Sequence, residues 1–248
     1  MDVHIGGYQR IFGRQSVTRP RRLELTANAL KIIAILAMTV DHLAWMLLPL
    51  ESVSGEIAHT FGRLTAPIMC YLAAEGVHYT RDPRRYLFRL FLFAALSHVP
   101  YVLFFDTEWY YTSILWGMAW GVFALWLCED PAVPLWLKLG MILFACFMAV
   151  NADWNYIAVL WIVLLGLSRG NFLLQTAVLL GVGALYALPD IITQGGQYAY
   201  RFGVVFTLPL LARYNGKRGR KNALTKWAFY WYYPLHLLLL AVIQTLFF

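Results

Sequence analysis

The sequence predicts an all-α integral membrane protein, a polytopic bundle of about nine transmembrane helices, and three observations support this prediction. First, 60% of the 248 residues are hydrophobic and 13% are charged, whereas about 25% of the residues in a soluble domain are charged. Second, apolar runs close to the roughly 20 residues that cross a bilayer recur along the chain. Third, basic and acidic residues fall into alternating loops, as in membrane proteins of fixed orientation.

Nine apolar segments are the candidate spans. They cover residues 28–50, 57–79, 84–105, 110–128, 134–150, 154–168, 171–189, 198–213 and 225–247. The fifth and sixth segments are short for a bilayer. Residues 1–24 form a basic tail without the apolar core and cleavage site of a secretion signal, so we expect the first span to be retained. Because no internal repeat or further boundary divides the rest, residues 25–248 are interpreted as a single polytopic transmembrane domain.

The distribution of charge sets the expected orientation. With nine spans, the basic tail, the loop at 81–85 and the run at 213–226 lie on one side, and most loop carboxylates lie on the other. The positive-inside rule then places the N-terminus in the cytoplasm of a bacterial inner membrane. The net charge of +7 follows from this topology and gives no indication of nucleic acid. No cysteine pair has metal-ligand spacing, so no metal site is expected.

Ionisable residues inside the predicted spans are the main functional signal. Asp41 and His42 stand in the apolar run "LAMTVDHLAWML", where a carboxylate costs roughly 2.5–3.5 kcal/mol on insertion scales. Arg63 lies at a matching depth in the next span, and His59 shares its helix face. We therefore hypothesise an Asp41–Arg63 ion pair, with His42 beside it and facing a cavity. The pair could equally be a structural staple.

Three further signals each have two interpretations. His236, just after Pro234, is either functional or an ordinary member of the aromatic cluster "FYWYYPLH". Asp153 either caps a helix or contacts an acceptor amine. The basic residues near the cytoplasmic ends either bind phosphates or only set the topology; these are Arg81, Arg84, Arg85, Arg89, Lys217 and Arg218.

Several stretches of the chain resemble the TraX family of conjugal-transfer membrane proteins. They are "LTANALKIIAILAMTVDH" at 25–42, "FGRLTAPIMCYLAAEGVHYTRDPRRYLFRLFLFAALSHVPY" at 61–101, "NADWNY" at 151–156, "NGKRG" at 215–219 and "FYWYYPLHLLLL" at 229–240. The resemblance implies pilin acetylation, the activity of the family's namesake, and a likeness to multi-span acyltransferases that O-acetylate bacterial surface glycans. In those enzymes acetyl-CoA enters from the cytoplasm and the acceptor from the opposite face.

The resemblance implies a role for each candidate residue. The six cytoplasmic Arg and Lys residues would hold the phosphates of acetyl-CoA, and His42 would be the general base. Asp41 would hold Arg63, and Arg63 or His236 would stabilise the oxyanion. Lys31 could contact the pantetheine arm, although snorkelling is the favoured interpretation. His59 and Asp153 are assigned to the acceptor side.

Two other function classes stay open at this point. A proton-coupled transporter or flippase would also use buried ionisable residues, although the two halves show no paired interrupted helices. A non-catalytic pilus-assembly protein is the other alternative. The acceptor could be pilin, another exported protein, a lipid or a glycan, and the bilayer itself is an expected partner.

Overall fold

A computed structural model describes residues 24–220 and 223–247, and this part of the chain is helical throughout, as predicted. The helices are α1 (Ala27–Leu47), α2 (Val53–Gly62), α3 (Thr65–Tyr79), α4 (Pro83–Phe105), α5 (Ile114–Glu129), α6 (Leu135–Met148), α7 (Asn155–Leu167), α8 (Phe172–Gln194), a 3₁₀ helix (Gly196–Thr207), α9 (Leu208–Leu211) and α10 (Ala223–Phe247). The predicted basic tail lies outside the described residues except for Glu24, so the division at residue 24 stays a prediction.

Side chains at the helix starts explain several of these boundaries. The Thr26 hydroxyl accepts a hydrogen bond from the Ala29 amide at 3.3 Å, and the Asp82 carboxylate accepts one from the Arg85 amide at 3.0 Å. Pro83 occupies the first turn of α4, where its missing N–H costs no hydrogen bond. Such caps satisfy amides that otherwise have no partner inside the helix.

Within residues 24–220 and 223–247, four helices are long and apolar enough to cross a membrane: α1, α4, α8 and residues Trp227–Phe247 of α10. Helices α5, α6 and α7 are apolar but shorter, with 16, 14 and 13 residues. The prediction of a helical membrane bundle is therefore confirmed, whereas these lengths do not establish nine transmembrane helices.

The second predicted span is broken between α2 and α3. Pro67 follows the break, and its ring cannot be accommodated against the carbonyl of the residue four before it, Arg63. Leu64 instead bonds to Phe61, three residues back, at 3.2 Å. The break leaves Arg63 between two short helices rather than inside one long one.

The eighth predicted span is also not a regular α-helix. Its first ten residues, 198–207, lie in the 12-residue 3₁₀ helix, although such runs rarely exceed three or four residues. Gly203 explains the close packing of this segment, because a Cβ at that position would overlap the backbone carbonyl of Thr60. The prediction of one α-helical span over 198–213 is therefore wrong in its first two thirds.

Helix α3 occupies the centre of the bundle, and 10 of its 15 residues are buried. It packs on α1, α5, α7 and the 3₁₀ helix. Around it, α1 contacts α10, α10 contacts α4, α4 contacts α5, α5 contacts α7, and α7 contacts α8. The 3₁₀ helix connects α8 with α2 and so completes the ring, while α6 lies outside against α5 and α7.

The contacts between loops define two ends of the bundle. At one, which we call the basic end, Leu25 bridges to Tyr214 and Arg169 pairs with Glu75 at 2.9 Å. At the other, the far end, Thr112 bridges to Ala152. The same alternation of segments between two faces underlies the predicted topology, but which end faces the cytoplasm stays a prediction.

Candidate functional site

The hypothesised Asp41–Arg63 pair is present. Nη2 of Arg63 donates to Oδ2 of Asp41 at 2.5 Å, and Nδ1 of His59 donates to Oδ1 at 2.8 Å. The three side chains are almost completely buried, with exposed fractions of 7%, 8% and 0% for Asp41, Arg63 and His59. Both carboxylate oxygens are therefore satisfied by charge-assisted or imidazole hydrogen bonds, which makes a buried charge tolerable.

Arg63 is held by neighbours from four parts of the chain. Its Nη1 donates to the Tyr186 hydroxyl at 2.9 Å, and its Nε donates to the His59 carbonyl at 3.3 Å. The guanidinium also lies over the rings of Trp154 and Tyr200, at 5.1 and 5.4 Å. These contacts fix the position of Arg63 between α2, α8, the start of α7 and the 3₁₀ helix.

A second buried pair joins α1 to α10. Nδ1 of His42 and Nε2 of His236 are 2.8 Å apart, and the two rings are stacked with an interplanar angle of 3°. Nδ1 of His236 is also 2.9 Å from the carbonyl oxygen of Tyr232. Since a carbonyl only accepts, Nδ1 of His236 carries the proton, and its Nε2 is the acceptor in the neutral ring.

The tautomer of His42 follows from that of His236. Nδ1 of His42 must donate to Nε2 of His236, so Nε2 of His42 holds a lone pair when the ring is neutral. No described residue hydrogen-bonds to this nitrogen, and His42 keeps a 6% exposed fraction. Phe104 and Phe105 pack against the same ring, each at 5.6 Å between centroids. His42 is thus an oriented base in an apolar setting.

A cavity of about 790 Å³ opens at the basic end and runs along α3. Its lining follows α3 from Thr80 to Thr65, which is about 22 Å at 1.5 Å per residue. Ligand pockets commonly have about 300–1,000 Å³. The cavity is therefore large enough, and deep enough, for an extended ligand.

Among the described residues, five cationic side chains line the mouth of this cavity: Lys31, Arg81, Arg89, Arg218 and Arg220. The Nε atom of Arg89 is buried and has no hydrogen-bond partner among the described residues. The Ala27 and Asn28 amides donate to the carbonyls of Lys217 and Arg218 at 2.9 and 3.1 Å, and Nδ2 of Asn28 donates to the Arg220 carbonyl at 2.9 Å. These bonds hold the last two arginines against the start of α1.

The structure separates the predicted phosphate-binding residues into two groups. Arg81, Arg89 and Arg218 line the cavity, as does Lys31, whose ammonium lies 5.3 Å from the Phe229 ring. Arg84, Arg85 and Lys217 do not line it. The Arg85 side chain is 83% exposed and pairs with Asp82 at 2.9 Å. Their assignment to the phosphate site is therefore not supported by position, whereas Arg220 had been left out of that assignment.

The inner end of the cavity lies near the histidine pair, although neither histidine lines it. Met38 lines it one helical turn before His42. Tyr232 and Tyr233 also line it, and their rings contact that of His236 at 5.0 and 5.6 Å between centroids. The cavity therefore ends beside the histidine pair, with aromatic side chains between them. The sequence alone indicates for both tyrosines only membership of an aromatic cluster.

Asp153 lies in the turn between α6 and α7 at the far end. Its amide donates to the Thr112 carbonyl at 2.8 Å, and its carboxylate is close enough to Arg63 and Asp41 to interact electrostatically. Burial raises the pKa of Asp153 to about 6, although the nearby Arg63 acts in the opposite direction. Asp153 does not cap α7, because the N-cap is Trp154 in a left-handed conformation with φ of 63°.

Two predicted roles need correction. His236 was a candidate to stabilise an oxyanion, but its one N–H is bound to Tyr232 and its other nitrogen accepts from His42. His59 was assigned to the acceptor side, but it is fully buried against Asp41. Both histidines hold other side chains in place. Arg63, the other predicted oxyanion donor, is not among the residues that line the cavity.

Comparison with known proteins accounts for nearly the whole chain. The chain is 29% identical over 237 residues to a protein of Dichelobacter nodosus described as "Probable fimbrial assembly protein FimC, serogroup H1", an alignment that covers 89% of this chain and 96% of the relative. No solved structure matches. The family model described as "TraX protein" matches residues 26–244, a range that includes the Asp41 network, the histidine pair and the cavity, so the chain belongs to the TraX family of membrane proteins.

Proposed function

We propose that this protein is a membrane-bound acetyltransferase that moves acetyl from cytoplasmic acetyl-CoA to an acceptor at the outer face. The observation that carries the proposal is the cavity, which runs from a cationic mouth to Tyr232 and Tyr233, the side chains packed on the ring of His236 beside His42. Acetyl-CoA has that polarity, with phosphates at one end and an uncharged arm ending in the thioester. The far end then meets the acceptor.

The mouth has the chemistry that a polyphosphate needs. Guanidinium groups form bidentate, charge-assisted hydrogen bonds with phosphate oxygens, and the unpartnered Nε of Arg89 is available for one. Glu75, the one acidic residue that the described part of the chain contributes to the lining, is already paired with Arg169 at 2.9 Å. The mouth therefore keeps a strong net positive charge.

His42 supplies the chemistry of transfer. Its Nε2 takes the proton of the acceptor amine or hydroxyl as that atom attacks the thioester carbon. The C–S bond then breaks, the acetyl group stays on the acceptor, and the CoA thiolate takes the proton back from His42. His236 orients the base through the 2.8 Å bond to Nδ1, much as an acceptor positions histidine in other acyl transferases.

The distribution of charge supports the proposed orientation in the membrane, and the similarity to a relative supports the proposed acceptor. The positive-inside rule places the basic end in the cytoplasm, in keeping with a multi-pass protein of the bacterial inner membrane. The related Dichelobacter protein is named for fimbrial assembly, and pilin is therefore the first acceptor to test. An exported protein, a lipid or a glycan would use the same chemistry.

The test is to purify the protein in detergent and measure acetyl-CoA binding and slow thioester hydrolysis. Arg89→Ala should weaken binding by about 10–100-fold, since a hydrogen bond to a charged group contributes about 1.5–3 kcal/mol. Arg84→Ala, on the same helix but outside the cavity, should change it less than about twofold. His42→Ala should bind acetyl-CoA normally and lose hydrolysis. A folded wild-type protein that binds no acyl-CoA would refute the proposal.

A second candidate is non-catalytic pilus assembly, which the name of the Dichelobacter relative favours. The buried Asp41 network would then be purely structural, and the cavity would have no turnover. If His42→Ala supports pilus assembly as well as the wild type at equal protein level, this candidate is correct. Substrate movement that depends on a proton gradient would instead indicate the proton-coupled transporter or flippase.

A further inference from the structure

Acyl transfer needs a group that donates to the carbonyl oxygen as negative charge develops on it. The following inference rests on the proposed function and concerns which group this is. His236 has no free N–H, and Arg63 does not line the cavity. A residue that lines the inner end is therefore better placed to be the donor.

The N-terminus of α5 reaches that inner end. Ile114 and Leu115, its first two residues, line the cavity. Ser113 is the N-cap, but its side chain makes no capping hydrogen bond. The hydroxyl oxygen of Ser113 is buried without a hydrogen-bond partner among the described residues, and the residue is 1% exposed. The positive end of a helix dipole thus lies at the inner end of the cavity, and the Ser113 hydroxyl beside it is close enough to the Tyr233 hydroxyl to interact.

Tyr233 lies at the same place. It lines the cavity and contacts the His236 ring. Its hydroxyl is close enough to the Ser113 hydroxyl and to the Asp153 carboxylate to interact with both. The hydrogen bonds found among the described residues include none donated by the Tyr233 hydroxyl to a backbone carbonyl. Tyr233 is 7% exposed and lines the cavity, so a ligand there competes with Ser113 and Asp153 for its proton.

The neighbouring hydroxyls that line the cavity are already committed. Thr39 donates to the Ile35 carbonyl at 2.7 Å, so the Tyr232 hydroxyl, 2.6 Å away, must donate to Thr39. Thr65 donates to the Ala34 carbonyl at 3.0 Å. Tyr233 therefore differs from Tyr232 in having a proton to offer.

We propose that the Tyr233 hydroxyl and the N-terminus of α5 form the oxyanion hole of this enzyme. As the nucleophile attacks the thioester carbon, the π electrons of the C=O bond move to oxygen, and the Tyr233 O–H donates to that oxygen without transferring its proton. When the C–S bond breaks, the C=O bond re-forms and the hydrogen bond weakens. Ser113 completes the donor set beside Tyr233.

The experiment compares Tyr233→Phe, Ser113→Ala and the control Tyr101→Phe in the acetyl-CoA hydrolysis assay. Tyr233→Phe should lower kcat by about 100–1,000-fold, the usual cost of one oxyanion donor, with the Kd for acetyl-CoA changed less than about threefold. Ser113→Ala should lower kcat by a smaller factor. Tyr101 lies near Asp153 but does not line the cavity, so Tyr101→Phe should stay close to the wild type.

The outcomes separate this inference from the proposed function. If the wild type turns over and His42→Ala does not, but Tyr233→Phe keeps full kcat, the oxyanion assignment is wrong and the transferase stands. A loss at Tyr101, which is near Asp153 but does not line the cavity, and not at Tyr233 would also overturn it. If Tyr233→Phe does not bind acetyl-CoA, its kcat cannot be measured, and Ser113→Ala becomes the deciding variant. A wild-type kcat in Ser113→Ala would then refute the oxyanion hole, and a lowered kcat would support it. Absence of binding and turnover in the wild type would refute the transferase itself.

Discussion

Removal of the Arg63 side chain should destabilise the protein by about 3–5 kcal/mol, because it leaves Asp41 as an uncompensated buried charge. The side chains of Asp41 and Arg63 are only 10% and 9% exposed, and their bond is 2.5 Å long. For a chain of this size, 1 kcal/mol corresponds to about 2–4 °C in Tm. Arg63→Ala should therefore lower Tm by about 6–20 °C.

A thiol-reactive dye can follow this unfolding in detergent, because Cys70 and Cys128 are buried and free. The matched control is Arg85→Ala, whose partner Asp82 is 46% exposed in its side chain; a surface pair contributes about 0–1 kcal/mol. The double variant Asp41→Ala/Arg63→Ala should lose less than the sum of the single variants. Similar Tm losses at Arg63 and Arg85, or strictly additive losses at Asp41 and Arg63, would refute the reasoning.

Three further predictions follow from the same geometry. Gly62→Ala should destabilise the protein by about 1–3 kcal/mol, measured as Tm, because its Cβ would overlap the Asp41 side chain. His236→Gln should keep acetyl-CoA hydrolysis, since its Oε1 can accept from Nδ1 of His42, whereas His236→Leu should lower kcat by about 100-fold through misplacement of the base. The wild type should lose stability as the pH rises from about 4 to about 6, and Asp153→Asn should not show this loss. The sign follows because the folded pKa of about 6 exceeds the unfolded value of about 3.9, so folding is penalised once the unfolded carboxyl ionises.

Each of these predictions has its own control. Gly181→Ala is the control for Gly62→Ala, because its Cβ would enter open space, and its Tm should stay within about 2 °C of the wild type. Equal losses of Tm for Gly62→Ala and Gly181→Ala would mean that alanine is poorly tolerated in these helices whatever the space around it. Equal kcat values for His236→Gln and His236→Leu would contradict the assigned tautomer. A pH slope that persists in Asp153→Asn would show that another group titrates there.

The Asp41–Arg63 pair was predictable because depth along a helix depends only on residue count. A carboxylate in an apolar run needs a partner, and the short loop after α1 leaves the next span as its neighbour. The basic mouth was predictable in part for the same reason, since Arg81, Arg89 and Arg218 lie near helix ends. Which arginines turn toward the cavity depends on helix rotation, and Arg85 turns toward Asp82 instead.

The features that the sequence did not predict depend on contacts between distant residues. His42 and His236 are 194 positions apart, and only their mutual geometry reveals which nitrogen holds the lone pair. The cavity is likewise a space between α1, α3, α4, α5 and α10. The break before α3 did have a local signal in Pro67, since proline displaces the carbonyl four residues earlier, and the apolar run around it concealed that signal.

Two adjacent residues of helix α1, Asp41 and His42, contact different neighbours on two faces of the helix. Asp41 and His42 point about 100° apart, and the structure directs Asp41 toward His59 and Arg63 and His42 toward His236. The break at Arg63 makes this division possible, because the cavity lining on α3 begins at Thr65, immediately beyond it. Substitutions at Asp41 should therefore act mainly through stability, and those at His42 mainly through the chemistry at the end of the cavity. If Asp41→Asn lowered kcat sharply in a protein of wild-type Tm, the two faces would have to be coupled, and Asp41 would belong to the reacting site.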